Sequence, residues 1–213
     1  MGTLSSDASK ELCFAGDILR RQAQVLRLVA ASLGADLVRF VDCLEQAKGK
    51  IAVVGMGGSR HLARWLAGRF SSTGTPACYF SLEELADGDF CSLSGDDALV
   101  TFLDARTEEK LDLLFRAAER STRLCPIVWG KHAEIEKRAS ALLALQGPGD
   151  VSTVQSALSV PTSADLFLTV GDMLALTLMR RRAGVQGSGK VEVEKRKRGR
   201  PKGSKTKDRK GKQ

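Results

Sequence analysis

A glycine-rich turn is the first feature of this sequence that could do chemistry. The segment Gly55-Met56-Gly57-Gly58-Ser59 follows the apolar run Ile51-Ala52-Val53-Val54 and precedes residues with helical spacing. Glycines between a strand and a helix leave backbone N–H groups open, and such groups bind anions at a helix start. Close packing of strand against helix explains the glycines equally well. The candidate anion contacts at the turn are Gly57, Gly58, Ser59 and Arg60.

Further along the chain, a second loop offers phosphate contacts. Arg106 supplies a guanidinium and Thr107 a hydroxyl, and both groups can bind a phosphate. Asp104 in the same loop would repel that anion. We therefore expect Arg106 and Thr107 to complete the ligand contacts of the turn.

Metal and cofactor chemistry has no support in the sequence. The five cysteines form no CxxC pair, and with two histidines in all there is no zinc-ligand spacing. We expect no metal, no cofactor, and the reduced thiols of a cytosolic protein. His61 and His132 are candidate bases for proton transfer, although a helix start and a polar loop explain them better.

The positive charge of the chain is concentrated at one end. The formal net charge is +8, but residues 190–213 contain 12 basic and three acidic side chains and so carry +9. Residues 1–189 carry −1. A nearly neutral body with a basic tail predicts a polyanionic partner for the tail alone.

Within this tail, Arg198-Gly199-Arg200-Pro201 is flanked by Lys197 and Lys202 and resembles an AT-hook. The minor groove of A·T tracts is narrow and strongly negative, and it attracts inserted arginines. Gly199 lets the backbone approach the groove floor, and Pro201 keeps the chain extended. These six residues are therefore the predicted contacts to A·T-rich DNA, although any basic tail binds polyanions, including RNA.

The residues before this tail alternate between helical and strand patterns. Helical spacing predicts helices at 6–31, 35–47, 61–71, 108–121, 133–139 and 163–182. Short apolar runs predict strands at 51–54, 77–80, 98–103, 125–129 and 141–145, with a helix or loop at 82–89. Strands separated by helices form βαβ units, so we expect a central parallel sheet between helical layers. Ligands of such sheets bind at the carboxyl ends of the strands.

The glycine-rich segment and several later ones resemble sugar isomerase (SIS) domains of the arabinose-5-phosphate isomerase branch. Residues 55–63 are similar to that branch's GMGKSGHIA, 72–77 to its STGTPA, and 171–175 to the GDALA of its last helix. The similarity covers residues 5–185 in order. It implies a flavodoxin-like three-layer sandwich with N-terminal helices, a sugar phosphate as ligand, and homodimers or homotetramers.

The same comparison predicts a loss of isomerase chemistry. Moving a proton between two carbons of a phosphosugar requires a base, an acid and a phosphate cradle. Gly58 replaces the family's lysine in GMGKS, Asp87 replaces a histidine, and Arg106 replaces a glutamate of the phosphate loop. We therefore expect no catalytic residue at the site.

Three segments with separate roles follow from the sequence. Residues 1–185 form the SIS domain, 186–194 a linker, and 195–213 a basic tail that is disordered when free. We expect a DNA-binding protein, regulatory or nucleoid-associated in the cytoplasm, whose degenerate domain oligomerises and senses a sugar phosphate. The alternatives are a divergent phosphosugar isomerase and an oligomeric scaffold without a ligand. No membrane partner is expected, since no apolar run approaches the roughly 20 residues of a spanning helix.

Overall fold

A computed structural model of the chain describes residues 6–103, 110–120, 123–130, 132–145 and 163–184. The predicted linker 186–194 and tail 195–213 lie outside these residues, as do Arg106 and Thr107. The DNA contacts predicted between Lys197 and Lys202 therefore stay predictions.

Seven α-helices and five strands alternate along the described residues. The helices are α1 (Ser6–Ser32), α2 (Ala35–Glu45), α3 (Arg60–Ser72), α4 (Leu82–Ala86), α5 (Leu111–Ala118), α6 (Ala133–Arg138) and α7 (Ser163–Arg182). The strands are β1 (Ile51–Gly55), β2 (Ala77–Ser81), β3 (Ala98–Leu103), β4 (Arg123–Trp129) and β5 (Leu143–Leu145). Short 3₁₀ turns, Gly57–Ser59 and Asp89–Ser92, precede α3 and β3.

All five strands form one parallel sheet in the order β2-β1-β3-β4-β5. Ile51 of β1 pairs with Ala77 of β2 on one side and with Ala98 of β3 on the other. Helices pack on both faces of this sheet. The predicted α/β class, with a central parallel sheet between helical layers, is confirmed.

Two apolar layers form the core, one on each face of the sheet. Because side chains of a strand alternate between faces, Ile51 and Val53 of β1 pack with α2, α3 and α7. Ala52 and Val54 pack with α4, α5 and α6 on the other face. β1 is buried along its whole length, as expected for a strand covered on both faces.

Close contact between α7 and α3 completes the first layer. A Cβ atom at Gly171 would lie 3.0 Å from Leu66 Cδ1 and 3.1 Å from a ring carbon of Trp65, so the absent side chain lets the helices approach. Phe167 of α7 packs on Phe102 of β3, with ring centroids 4.8 Å apart. The last described helix is therefore an integral part of the domain.

Large apolar side chains remain exposed on the outer sides of helices in this layer. Leu12, Phe14 and Leu19 of α1 are exposed, as are Leu176 and Met179 of α7. By helical spacing, Leu12 and Leu19 share one face of α1, whereas Phe14 lies on another, and Leu176 and Met179 share one face of α7. Exposed apolar surface of this kind favours contact with another chain. Separately, none of the helices in the described ranges has the length and apolar character required to cross a bilayer.

Asp97 connects β1 and β3 at the amino edge of the sheet. Its carboxylate accepts hydrogen bonds from Lys50 N (2.9 Å), Lys50 Nζ (2.6 Å) and Ser94 N (2.9 Å). Only 2% of the Asp97 side chain is exposed. Burial opposes ionisation, but the bonds from Lys50 and Ser94 outweigh it and lower the pKa of Asp97. The buried carboxylate therefore holds two neighbouring strands in register.

We predict that Asp97→Ala lowers the free energy of unfolding by about 3 kcal/mol, because it removes a buried carboxylate that accepts three hydrogen bonds and pairs with Lys50. The contribution is present above the ordinary pKa of 3.8 and is lost as the pH falls toward the lowered value. Urea denaturation followed by circular dichroism measures the difference. Asp96→Ala at the exposed neighbouring position is the control, with a change within about 0.5 kcal/mol. Equal losses in the two variants would contradict this role of Asp97.

Candidate functional site

The strand order creates a crevice at the carboxyl edge of the sheet. After β1 the chain enters α3 on one face, and the helix that follows β3, α5, lies on the other face. Loops that leave neighbouring strands toward opposite faces separate and leave room for a ligand between them. The glycine-rich turn lies at this point.

Gly55 allows the turn to form where it does. It is the last residue of β1, and a Cβ atom there would lie 2.6 Å from Arg60 Cα and 2.9 Å from Ala63 Cβ. Helix α3 can therefore begin directly over the end of the strand. Gly57 has φ +50°, in the left-handed region that favours glycine. Gly57 and Gly58 are both exposed, and they follow β1 at the carboxyl edge of the sheet.

Ser59 and Arg60 stabilise the turn itself. The Ser59 hydroxyl accepts a hydrogen bond from Met56 N (3.1 Å) and donates one to Met56 O (2.9 Å). Arg60 Nε donates to Gly57 O at 3.1 Å. Of the four predicted turn contacts, Gly57 and Gly58 therefore present backbone amides. The side chains of Ser59 and Arg60 instead stabilise the backbone of the turn.

Glu83, which no sequence pattern singled out, also contacts the turn. It lies in α4, directly after β2, and its Oε1 accepts a hydrogen bond from Gly57 N at 3.4 Å. Ser81 Oγ donates to Glu83 Oε2 at 2.9 Å. Lys110, the residue before α5, donates from Nζ to Glu83 Oε1 at 2.5 Å. One carboxylate thus joins groups that follow three neighbouring strands.

These contacts keep Glu83 ionised. Burial favours the neutral carboxyl, but hydrogen bonds from Lys110, from the backbone and from Ser81 outweigh it and lower the pKa of Glu83 to about 2. The Lys110 and Glu83 side chains are 42% and 40% exposed. An ion pair that water reaches can open when a stronger anion competes for the lysine.

The location of Glu83 and Lys110 at the carboxyl edge of the sheet could be predicted in part from the sequence. Both residues follow predicted strands, at the edge where a parallel sheet binds its ligands. Their pairing has no signal, because the two residues are 27 positions apart in the chain. The two histidines predicted as candidate bases belong to other elements than Glu83 and Lys110. His61 is exposed in the first turn of α3, and His132 is buried just before α6.

The arrangement can bind an anion and move a proton. Exposed amides at Gly57 and Gly58 and the ammonium of Lys110 are donors for a phosphate, and Glu83 is a carboxylate within reach of the same ligand. No group of three His, Cys, Asp or Glu residues in the described part of the chain is placed to hold a metal ion.

Comparison with known proteins identifies relatives of this domain. A family model described as the SIS domain matches residues 43–173. Arabinose 5-phosphate isomerase GutQ of Salmonella typhi is 30% identical over 172 residues, which cover 76% of this chain and 52% of the relative. The chain therefore spans about half the length of the curated relatives it matches.

Solved structures share the same fold. Escherichia coli CFT073 c3406, solved as a complex with a ligand, aligns with a TM-score of 0.72 and 21% identity over 86% of this chain and 96% of that chain. The sugar isomerase domain of the RpiR transcription factor from Sphaerobacter thermophilus aligns with a TM-score of 0.54 and 17% identity over 82% and 98%. At these identities the likeness establishes the fold alone.

We predict opposite outcomes for two alanine substitutions in the glycine-rich turn. Gly55→Ala forces the methyl group against the α3 backbone and should destabilise the protein by about 3 kcal/mol, at the upper end of overpacking effects. Gly58→Ala meets no atom within 4 Å and should change stability by less than about 0.5 kcal/mol. Chemical denaturation of both variants makes the comparison. A Gly58→Ala loss as large as that of Gly55→Ala would refute this description of the turn.

Proposed function

Since the chain belongs to the SIS domain family, we propose that its crevice binds a phosphorylated sugar and interconverts the aldose and ketose forms. The observation that carries the proposal is the Glu83 carboxylate, held between Gly57 N–H and Lys110 at the carboxyl edge of the sheet. The sequence alone favoured a domain without catalysis, because the family's proton-transfer residues are replaced. Glu83 and Lys110 come from other elements and supply the missing chemical types.

Phosphate binding follows from the donors at the turn. The phosphate of a sugar phosphate carries about two negative charges at neutral pH and three acceptor oxygens. Gly57, Gly58 and Lys110 offer N–H donors of the kind that bind such groups. In the structure, Gly57 N and Lys110 Nζ donate to the Glu83 carboxylate. An incoming phosphate therefore competes with this carboxylate for both donors.

This competition prepares Glu83 for proton transfer. When Lys110 pairs with the phosphate, Glu83 loses the strongest of the hydrogen bonds that lower its pKa. Its pKa rises, and the carboxylate becomes a better base beside the bound sugar. Glu83 then accepts the proton from C2, the carbon next to the aldehyde, and returns it to C1, while the proton of the C2 hydroxyl passes to the oxygen on C1, so that C2 becomes the carbonyl carbon. The binding of substrate thus activates the base.

We predict that the full chain exchanges the C2 proton of arabinose 5-phosphate with solvent deuterium and forms the corresponding ketose phosphate. Proton NMR in D₂O follows both changes. Glu83→Gln should slow the exchange at least about 100-fold, because it removes the general base. Glu84→Gln is the matched control: this neighbouring carboxylate is exposed in the same helix and should leave the rate unchanged.

Thermal shifts separate binding from catalysis in this experiment, since a ligand of the folded state raises the melting temperature. Stabilisation by arabinose 5-phosphate without proton exchange would overturn the isomerase assignment and leave a sugar-phosphate sensor. The absence of both effects would favour a scaffold with an unused crevice.

A second candidate function, DNA binding, is favoured by the charge of +9 in residues 190–213 and by the Arg198-Gly199-Arg200-Pro201 motif. We propose that this tail binds A·T-rich minor grooves in the cytoplasmic nucleoid. The exposed apolar side chains of α1 and α7 support assembly into a homodimer or homotetramer. Several tails on one assembly would raise the effective concentration of each tail near DNA.

We predict that Arg198→Ala combined with Arg200→Ala removes the preference for A·T-rich over G·C-rich duplexes, because the groove-inserting side chains are lost. Lys210→Ala combined with Lys212→Ala removes the same charge and should weaken binding to both duplexes alike. Fluorescence anisotropy at fixed salt measures the four affinities. Tight A·T-selective binding by a chain that lacks residues 190–213 would contradict the assignment of DNA binding to the tail.

A further inference from the structure

Two cysteines meet at the opposite edge of the sheet from the sugar-phosphate crevice. Cys43 lies in α2 and Cys125 near the start of β4, and their Sγ atoms are 3.4 Å apart. The two residues are 82 positions apart in the sequence, so only the packing of α2 on the sheet brings them together. A disulfide requires an S–S distance of about 2.05 Å, so the two sulfurs must approach by about 1.4 Å more for the bond to form.

Access to this pair differs between the two sulfurs. A cavity of about 460 Å³, open to solvent, is lined by Cys43 together with Arg39, Asp42, Arg123 and others. Cys43 is partly exposed at this cavity, whereas Cys125 is fully buried. A small reagent can therefore reach Cys43 first.

The surroundings also shift the pKa values of the two thiols in opposite directions. Cys125 donates a hydrogen bond to Cys43, and this bond lowers the pKa of Cys43 to about 7 against the effect of burial, with help from the charge of Arg123. The interaction with Cys43 and burial raise the pKa of Cys125. Partial exposure at the cavity and the lowered pKa both make Cys43 the thiol that ionises more readily, and the thiolate is the nucleophilic form of cysteine.

Other charged groups around the pair do not reverse this assignment. Arg39 and Arg123 line the cavity, and the Arg39 guanidinium forms an ion pair with Asp36 of the same helix. Asp42, the one acid among the lining residues in the described part of the chain, accepts a hydrogen bond from Arg181 of α7. The charge of Arg123 therefore remains the one that favours a thiolate at Cys43 among the described residues that line the cavity.

We propose that Cys43 and Cys125 form a thiol redox site that reduces small peroxides and closes an intramolecular disulfide. The Cys43 thiolate attacks one peroxide oxygen, so that an S–O bond forms, the O–O bond breaks, and the leaving oxygen departs as water after protonation. Cys125 then attacks the sulfenic acid sulfur of Cys43 and a second water leaves with the Cys125 proton. The two sulfurs lose two electrons in total, and hydrogen peroxide is reduced to two water molecules.

This site is independent of the sugar-phosphate crevice. Cys125 lies near the start of the strand whose carboxyl end is at the other edge of the sheet, and none of the crevice residues lines the cavity. A failure of sugar-phosphate binding would leave the thiol chemistry untouched.

The test treats the full chain with hydrogen peroxide at pH 7, blocks the remaining thiols by alkylation, and maps the peptides by mass spectrometry. We expect a Cys43–Cys125 disulfide as the main product, formed several-fold faster than any oxidation of the exposed reference Cys78. Predominant oxidation of Cys78, or of other cysteines at the same rate, would overturn the proposal.

Variants assign the two roles. In Cys125→Ser, Cys43 should stop at the sulfenic acid and become labelled by dimedone, because no second thiol can resolve it. In Cys43→Ser, Cys125 should stay reduced, since it is buried and has lost its reactive partner. Cys78→Ser should form the disulfide as the unmodified chain does. If Cys43→Ser still loses the Cys125 thiol to peroxide at the original rate, the assignment of Cys43 as the attacking group is wrong.

Discussion

The strand order β2-β1-β3-β4-β5 is the constraint on which the rest of this structure depends. It sends the chain from β1 to one face of the sheet and from β3 to the other, and the diverging loops leave a crevice at the carboxyl edge. Gly55 makes this geometry compact, because α3 can begin directly over the end of β1. The polar groups of the site meet there because each follows a strand of the same parallel sheet.

The carboxylate of Glu83 is an anion of the protein itself at this crevice. Glu83 satisfies Gly57 N–H and Lys110, so these donors have an acceptor without a ligand. A ligand must therefore bind these donors more strongly than the Glu83 carboxylate does. A phosphate does so, because it has a larger charge and more acceptor oxygens. If the proposed function holds, the same ion pair favours a phosphorylated ligand over a neutral sugar and lowers the basicity of Glu83 while no ligand is bound.

Local hydrophobic patterns predicted most of the helices and strands, but they could not predict contacts between residues that are distant in the chain. Strand β3 lies at 98–103 as predicted from its apolar run, whereas β5 is limited to Leu143–Leu145 of the predicted 141–145. The exposed amides of Gly57 and Gly58 were predictable, since strand, turn and helix are consecutive in the chain. The pairs Glu83–Lys110 and Cys43–Cys125 were not, because each joins residues that only the folded sheet brings together.

We propose that a sugar phosphate binds to the turn amides and to Lys110. Backbone amide NMR during titration with arabinose 5-phosphate tests it most directly. We expect saturable shifts at Gly57, Gly58 and Lys110, with Gly49 and Asp97 at the amino edge unchanged. An unchanged spectrum, or shifts confined to the amino edge, would contradict it.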